Sequence, residues 1–191
     1  MNIESTERTL DLTGHFLIAM PDMGDPVFSG TVTYLLVHDD DGALGVIINR
    51  PLEVELQEVF KAAQIETYEP DVGELPVYHG GPVTPEQGFI LHRRRERSWS
   101  SAITNDELSL TTSRDILVDI ASKNGPEEYL FCLGYSGWTK GQIEEELKTN
   151  AWLTVKADID IIFSPNSEKY SQALKQLGID QAVLSGQGGQ A

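Results

Sequence analysis

The stretch Thr31-Val32-Thr33-Tyr34-Leu35-Leu36-Val37, followed by Asp40-Asp41-Gly42 and then by Leu44-Gly45-Val46-Ile47-Ile48, decides the fold class. β-Branched and aromatic residues fill the first run, and they suit a pleated, half-buried surface better than a helix. The Asp-Gly step supplies the tight turn that lets two such runs pair as an antiparallel hairpin. Upstream, Phe16-Leu17-Ile18-Ala19-Met20 is an apolar run stopped by Pro21, as expected of a buried strand. Downstream, Asn49-Arg50-Pro51 ends the second arm of the hairpin. Leu52, Leu56, Val59, Phe60 and Ala63 then recur at helical spacing and predict a short amphipathic helix.

A second group of strands follows. Val77-Tyr78-His79 runs into Gly80-Gly81-Pro82, Gly88 to His92 resumes the extended pattern, and Leu108 to Thr112 alternates as a half-buried strand does. Ser113 fits the N-cap of a helix burying Ile116, Leu117 and Ile120 and stopped by Gly125-Pro126. Tyr129 to Leu133 reads as a central strand, and Gly134-Tyr135-Ser136-Gly137-Trp138 as a turn into a helix opened by Thr139 to Gln142 at capping-box spacing. Trp152 to Val155 and Ile159 to Phe163 read as closing strands. A last helix from about Glu168 buries Tyr170, Ala173, Leu174 and Leu177 and stops at Gly178. The pattern predicts one α+β domain, a mixed and largely antiparallel sheet flanked by several helices, with a core at about 10–185 and a flexible tail at about 186–191.

Composition narrows the function classes. The chain of 191 residues carries 30 acidic against 14 basic residues, a formal net charge of −16, which repels phosphate backbones and anionic lipid and argues against direct nucleic-acid or membrane binding. A single cysteine, Cys132, excludes an intramolecular disulfide and a cysteine-cluster zinc site. No stretch approaches the ~20 apolar residues of a transmembrane helix, and the acidic N-terminus (Glu4, Glu7, Asp11) does not resemble a signal peptide. A cytosolic location is expected.

Several chemical readings fail on spacing. Gly134-Tyr135-Ser136-Gly137 lies where a nucleophile elbow would sit, and His79-Gly80-Gly81 resembles an oxyanion loop. The elbow nevertheless needs Gly where Trp138 stands, and all four histidines precede Ser136 in chain order. A hydrolase using Ser136 or His79 stays open as an alternative, because triads recur in other orders. No nucleotide-binding glycine loop is present, and the histidines are too dispersed for a metal site, so no cofactor or metal is expected. Arg93, Arg94, Arg95 and Arg97 form one basic concentration, which reads as a solvated loop or as a docking patch for an acidic partner.

Together the turns resemble the bacterial YqgE/AlgH family. The resemblance is carried by Leu12-Thr13-Gly14-His15-Phe16 through Pro21, Gly42-Ala43-x-Gly45-x-x-x-Asn49-Arg50-Pro51, and Gly80-Gly81-Pro82-Val83 with Gly88-Phe89-x-Leu91-His92. It continues through Thr111-Thr112-Ser113-Arg114-Asp115 and Leu133-Gly134-Tyr135-x-Gly137-Trp138 with Gly141-Gln142. It implies an α+β fold, a cytosolic bacterial protein and a proposed regulatory role, and it brings no established catalytic residue, substrate or cofactor. Gly30, Ser136 and Gln190 depart from the family pattern, which tends to Arg, Ala and His at these positions. The expected function is therefore binding or regulation, with an unknown small molecule or protein as partner. Its candidate site is formed by three turns meeting at one edge. Those turns supply Asn49 and Arg50, then His79, Gly80 and Gly81, then Gly134, Tyr135, Gly137, Trp138 and Gln142.

Overall fold

The computed structural model describes residues 10–21, 23–67 and 69–184. The tail expected at 186–191, with Gln190, lies outside the described residues. The strands are β1 (His15–Ala19), β2 (Val32–Asp39), β3 (Gly42–Ile47), β4 (Pro51–Glu55), β5 (Pro76–His79), β6 (Val83–Arg93), β7 (Ala102–Thr104), β8 (Leu108–Thr111), β9 (Tyr129–Thr139) and β10 (Trp152–Lys156). The helices are α1 (Leu56–Ala62), α2 (Pro70–Gly73), α3 (Arg114–Ala121), α4 (Gln142–Lys148), α5 (Ile159–Phe163), α6 (Asn166–Gln176) and α7 (Gln181–Leu184).

The predicted hairpin is β2–β3, closed at Asp39–Gly42. It sits inside one sheet ordered β10-β1-β2-β3-β9-β6-β8-β7, antiparallel along this path, while β4 pairs β5 and β5 pairs β9 in parallel. This is the mixed, largely antiparallel α+β architecture expected. β9 is its spine. The first half of β9 pairs with β5 (Phe131 to Leu133), and its second half pairs with β3 (Ser136 to Thr139). β6 runs along its opposite edge.

Strand alternation sends side chains to two faces, and each face is covered. One core joins Phe16, Tyr34, Leu36 and Val46 to Phe89, Leu110 and Cys132, sealed by Ile162 of α5 and Leu174 of α6. Behind the β5–β6–β9 half, Leu56 and Phe60 of α1 meet Ile116 and Ile120 of α3 over Ile90 and Phe131. Behind the β1–β2 half, Ile143 of α4 packs on Leu17, Leu35, Trp138 and Trp152.

Four expectations about elements are corrected. Gly134 to Trp138 is no turn: it continues β9 without a break. The strand expected at Ile159 to Phe163 is a helix, because the Asp158 carboxylate caps its first turn by accepting the Asp160 N–H at 3.0 Å. A five-residue apolar run does not distinguish the two periods. Leu52 belongs to β4 rather than to a helix, and α1 starts only at Leu56. The helix before Gly125-Pro126 already ends at Ala121, with Lys123 at φ 57° beyond it.

α6 also buries a residue that its apolar periodicity does not announce. Lys169 is fully buried, donates to the Ile48 carbonyl at 2.8 Å and lies 4.5 Å from the centre of the Tyr78 ring.

Candidate functional site

The glycines of the second and third predicted turns meet at the fork where β9 exchanges β5 for β3. Gly80 N–H donates to the Leu133 carbonyl at 2.8 Å, and the Gly80 carbonyl accepts from Ile47 N–H at 2.9 Å. A Cβ on Gly80 would overlap the Gly134 carbonyl, and one on Gly134 would overlap that of Gly81. Gly134 also holds φ 72°, a region that favours glycine. Three backbones thus pass where side chains do not fit. The glycines make the fork.

The first predicted turn joins this fork, since His79 N–H donates to the Arg50 carbonyl at 2.8 Å. Its side chains point elsewhere. Asn49 accepts from Val32 N–H at 2.8 Å and donates to the Gly30 carbonyl at 3.1 Å. Arg50 donates to the carbonyls of Pro26, Val27 and Ser29, so its guanidinium holds the segment before β2. Phe28 of that segment packs against Trp138 and Trp152, with ring centres 6.0 and 5.3 Å away. Both indole N–H groups donate to one Glu146 oxygen, at 3.1 and 2.7 Å, while Gln142 donates to the other at 2.9 Å. Trp138 therefore belongs to a partly buried aromatic–carboxylate cluster, with Gln142 on its exposed side, connected to the fork through Arg50 and Phe28. Gly137 lies exposed between fork and cluster, opposite Leu44.

Of the polar and aromatic side chains picked from sequence, those of His79 and Tyr135 form no hydrogen bond among the described residues. Tyr135 turns to Phe89, its ring 5.3 Å away. His79 stands opposite Leu133 in register and so shares its face of the sheet. Burial and then the nearby Arg50 charge hold its imidazole below the ordinary histidine range, so it is neutral near pH 7.

That face carries a feature which the sequence reading missed. A groove of about 530 Å³ runs between α1, α3 and the sheet, floored by Gly88, Ile90, Phe131 and Leu133. Val54, Val59, Ala62, Ala63 and Leu117 form its walls. Gly88 deepens the floor by necessity, because a Cβ there would press on the Phe131 ring at 2.6 Å. Glu58, Glu86, Thr112 and Arg114 stand at the rim. Arg114 spans the two helices, donating to the carbonyls of Ala63 and Gln64 at 2.9 and 3.2 Å at the C-terminal end of α1. Glu86 comes from an interruption in β6, where four residues intervene between the pairs Val83–Tyr135 and Gly88–Leu133. The volume falls within the range of small-molecule sites.

Comparison with known proteins places the chain. The AlgH-like family profile matches residues 16–182. The chain belongs to the AlgH-like family. It is 46% identical over 188 residues to a UPF0301 protein of Ralstonia nicotianae, covering 98% of this chain and 99% of the relative. With a UPF0301 protein of Azoarcus sp. the identity is 50% over 182 residues, at 95% and 97% coverage. The solution structure of the AlgH protein from Pseudomonas aeruginosa superposes with a TM-score of 0.79, 43% identity and full coverage of both chains. A crystal structure from Corynebacterium diphtheriae shares the fold alone, with a TM-score of 0.68 at 17% identity over 89% of each chain.

In this AlgH-like chain the hydrolase alternative meets specific obstacles. Ser136 is fully buried within β9, and its hydroxyl donates to the Gly80 carbonyl at 3.2 Å. His38 accepts Leu12 N–H at 3.0 Å on Nδ1 and faces Glu144 at 3.2 Å through Nε2. His92 is likewise committed at both nitrogens, to the Arg93 carbonyl and the Thr111 hydroxyl, each at 2.9 Å. The arginine cluster is largely neutralised as well. Arg93 pairs with Glu128 and Asp160, Arg95 with Glu127, and Arg97 with Asp119. Among the described residues no group of three or more His, Cys, Asp or Glu is arranged to hold a metal ion. No helix among them is long and apolar enough to cross a membrane.

A sequence signal for the groove did exist. The α3 segment offers apolar residues at 116, 117, 118 and 120, more than one buried stripe uses. Leu117, the surplus, lines the groove, and Val118 is 42% exposed.

Proposed function

We propose that this protein is a binding protein whose ligand seats an apolar body in the groove between α1, α3 and the β6–β9 floor. The observation that carries the reading is the groove itself, an apolar concavity of about 530 Å³ with few polar groups at its mouth. The fork supports it mechanically: glycine-packed backbones at Gly80, Gly81 and Gly134 fix the strands that form the floor. His79 lies on the same face of the sheet, paired with Leu133 on the neighbouring strand, and burial lowers the pKa of its imidazole. In this reading the sequence-named turns position the site, and the helices behind them complete it.

Ala62 is exposed on the α1 wall, so Ala62→Trp fills the groove without entering the core. Titration with the neutral apolar dye Nile red is expected to show saturable fluorescence enhancement that Ala62→Trp abolishes. Absence of saturable binding, or full binding by the Trp variant, rejects the proposal.

A further inference from the structure

We infer that the groove selects an apolar small molecule bearing a single positive charge, such as an alkyl or aryl amine. This rests on the groove reading above and adds the charge of the ligand. Three charged side chains stand at the mouth: Glu58, Glu86 and Arg114. They are not equivalent. Arg114 spends its Nη2 on the carbonyls of Ala63 and Gln64, where the C-terminal end of α1 presents partial negative charge. Its positive charge is thereby partly offset by the protein itself. Among the described residues Glu58 and Glu86 have no hydrogen-bond or ion-pair partner, and both are exposed at the rim.

A ligand lying on the Phe131–Leu133 floor therefore meets two carboxylates and one partly compensated guanidinium, a net negative mouth, as its polar end emerges. The formal net charge of −16 acts in the same direction, concentrating cations and repelling anions before contact. The apolar floor rejects a second charge within the ligand body, because no buried partner there would repay its desolvation. The chemistry recognised is thus an apolar body with one ammonium at its end. The dimensions of the groove suit a small molecule rather than a folded partner.

Decylammonium, decan-1-ol and decanoate each have ten carbons in an unbranched chain and end in a positive, a neutral and a negative polar group. Titrated calorimetrically into the full-length protein below their micellar concentrations, they should bind in that order, with the amine roughly tenfold or more tighter than the carboxylate. The double variant Glu58→Gln/Glu86→Gln should remove most of the amine's advantage over the alcohol and leave the alcohol unchanged. Ala62→Trp should remove all three. If the alcohol binds but the amine gains nothing, the charge inference is wrong and the groove reading stands. Tighter binding of decanoate would show that Arg114 governs the mouth and would overturn the inference. If none of the three binds, or if Ala62→Trp leaves binding intact, the groove reading fails and this inference goes with it.

Discussion

Lys169 offers the sharpest test of the energetics. Its ammonium is enclosed by α6 and the sheet, with one carbonyl acceptor at 2.8 Å and the Tyr78 ring beneath it. Desolvation by burial lowers its pKa from 10.5 to about 8. The unfolded chain therefore holds the Lys169 proton up to pH 10.5, whereas the folded protein releases it near pH 8. Stability rises wherever the unfolded state binds more protons, so this residue makes the fold more stable as pH climbs from about 8 to 10.5. At about 1.4 kcal/mol per pKa unit, the full rise is about 3 kcal/mol. Cys132 acts in the opposite sense. Burial pushes its thiol from 9.0 up to about 12, so above pH 9 the unfolded chain ionises first and the fold loses stability. One proton gained against one lost leaves the wild-type curve rising from pH 8 to 9 by about 1.4 kcal/mol and then flat to about pH 10.5. The buried tyrosines, with pKa values raised by desolvation, steepen the decline beyond that. Urea titrations at half-unit intervals from pH 7 to 10, extrapolated linearly to water, measure the curve. Lys169→Met should abolish the rise and leave only the fall above pH 9. Cys132→Ala should extend the rise toward the full ~3 kcal/mol, whatever constant offset its missing sulfur introduces. If the difference between wild type and Lys169→Met does not change between pH 7 and 9, the desolvated-ammonium argument is refuted.

Two further outcomes follow from the fork and its attachments. Gly134→Ala should destabilise by roughly 2–4 kcal/mol in chemical denaturation, because the new methyl meets the Gly81 carbonyl while the backbone holds φ 72°; a loss under about 0.5 kcal/mol would show that the strands part easily there. Arg50→Ala should cost roughly 1–3 kcal/mol and alter the near-ultraviolet circular dichroism of Trp138 and Trp152, since Phe28 is then held less firmly. Unchanged aromatic signals would separate Arg50 from that cluster.

The sequence by itself determined the local periods. The Thr31 to Ile48 hairpin, the strand at Tyr129 to Leu133 and the helix ending before Gly178 follow from patterns in which neighbours along the chain carry the information. It also determined the family, because motifs spread over most of the chain occur together in order. What the glycines are for was decided only in three dimensions. Gly80 and Gly134 read as turn residues, yet Gly80 is required by the Gly134 carbonyl and Gly134 by the Gly81 carbonyl, in each case more than 50 positions away. The same holds for Arg50, whose charge is spent on carbonyls 21 to 24 residues upstream. Lys169 fits a solvated helix face by type and becomes a core residue only because the sheet encloses it. The groove exists in no segment at all. It is the space that α1 and α3 leave uncovered when they pack on one sheet, and its depth depends on a missing side chain at Gly88 facing the Phe131 ring. Periodicity specifies which face of an element is apolar; only packing decides how much of that face a neighbour covers.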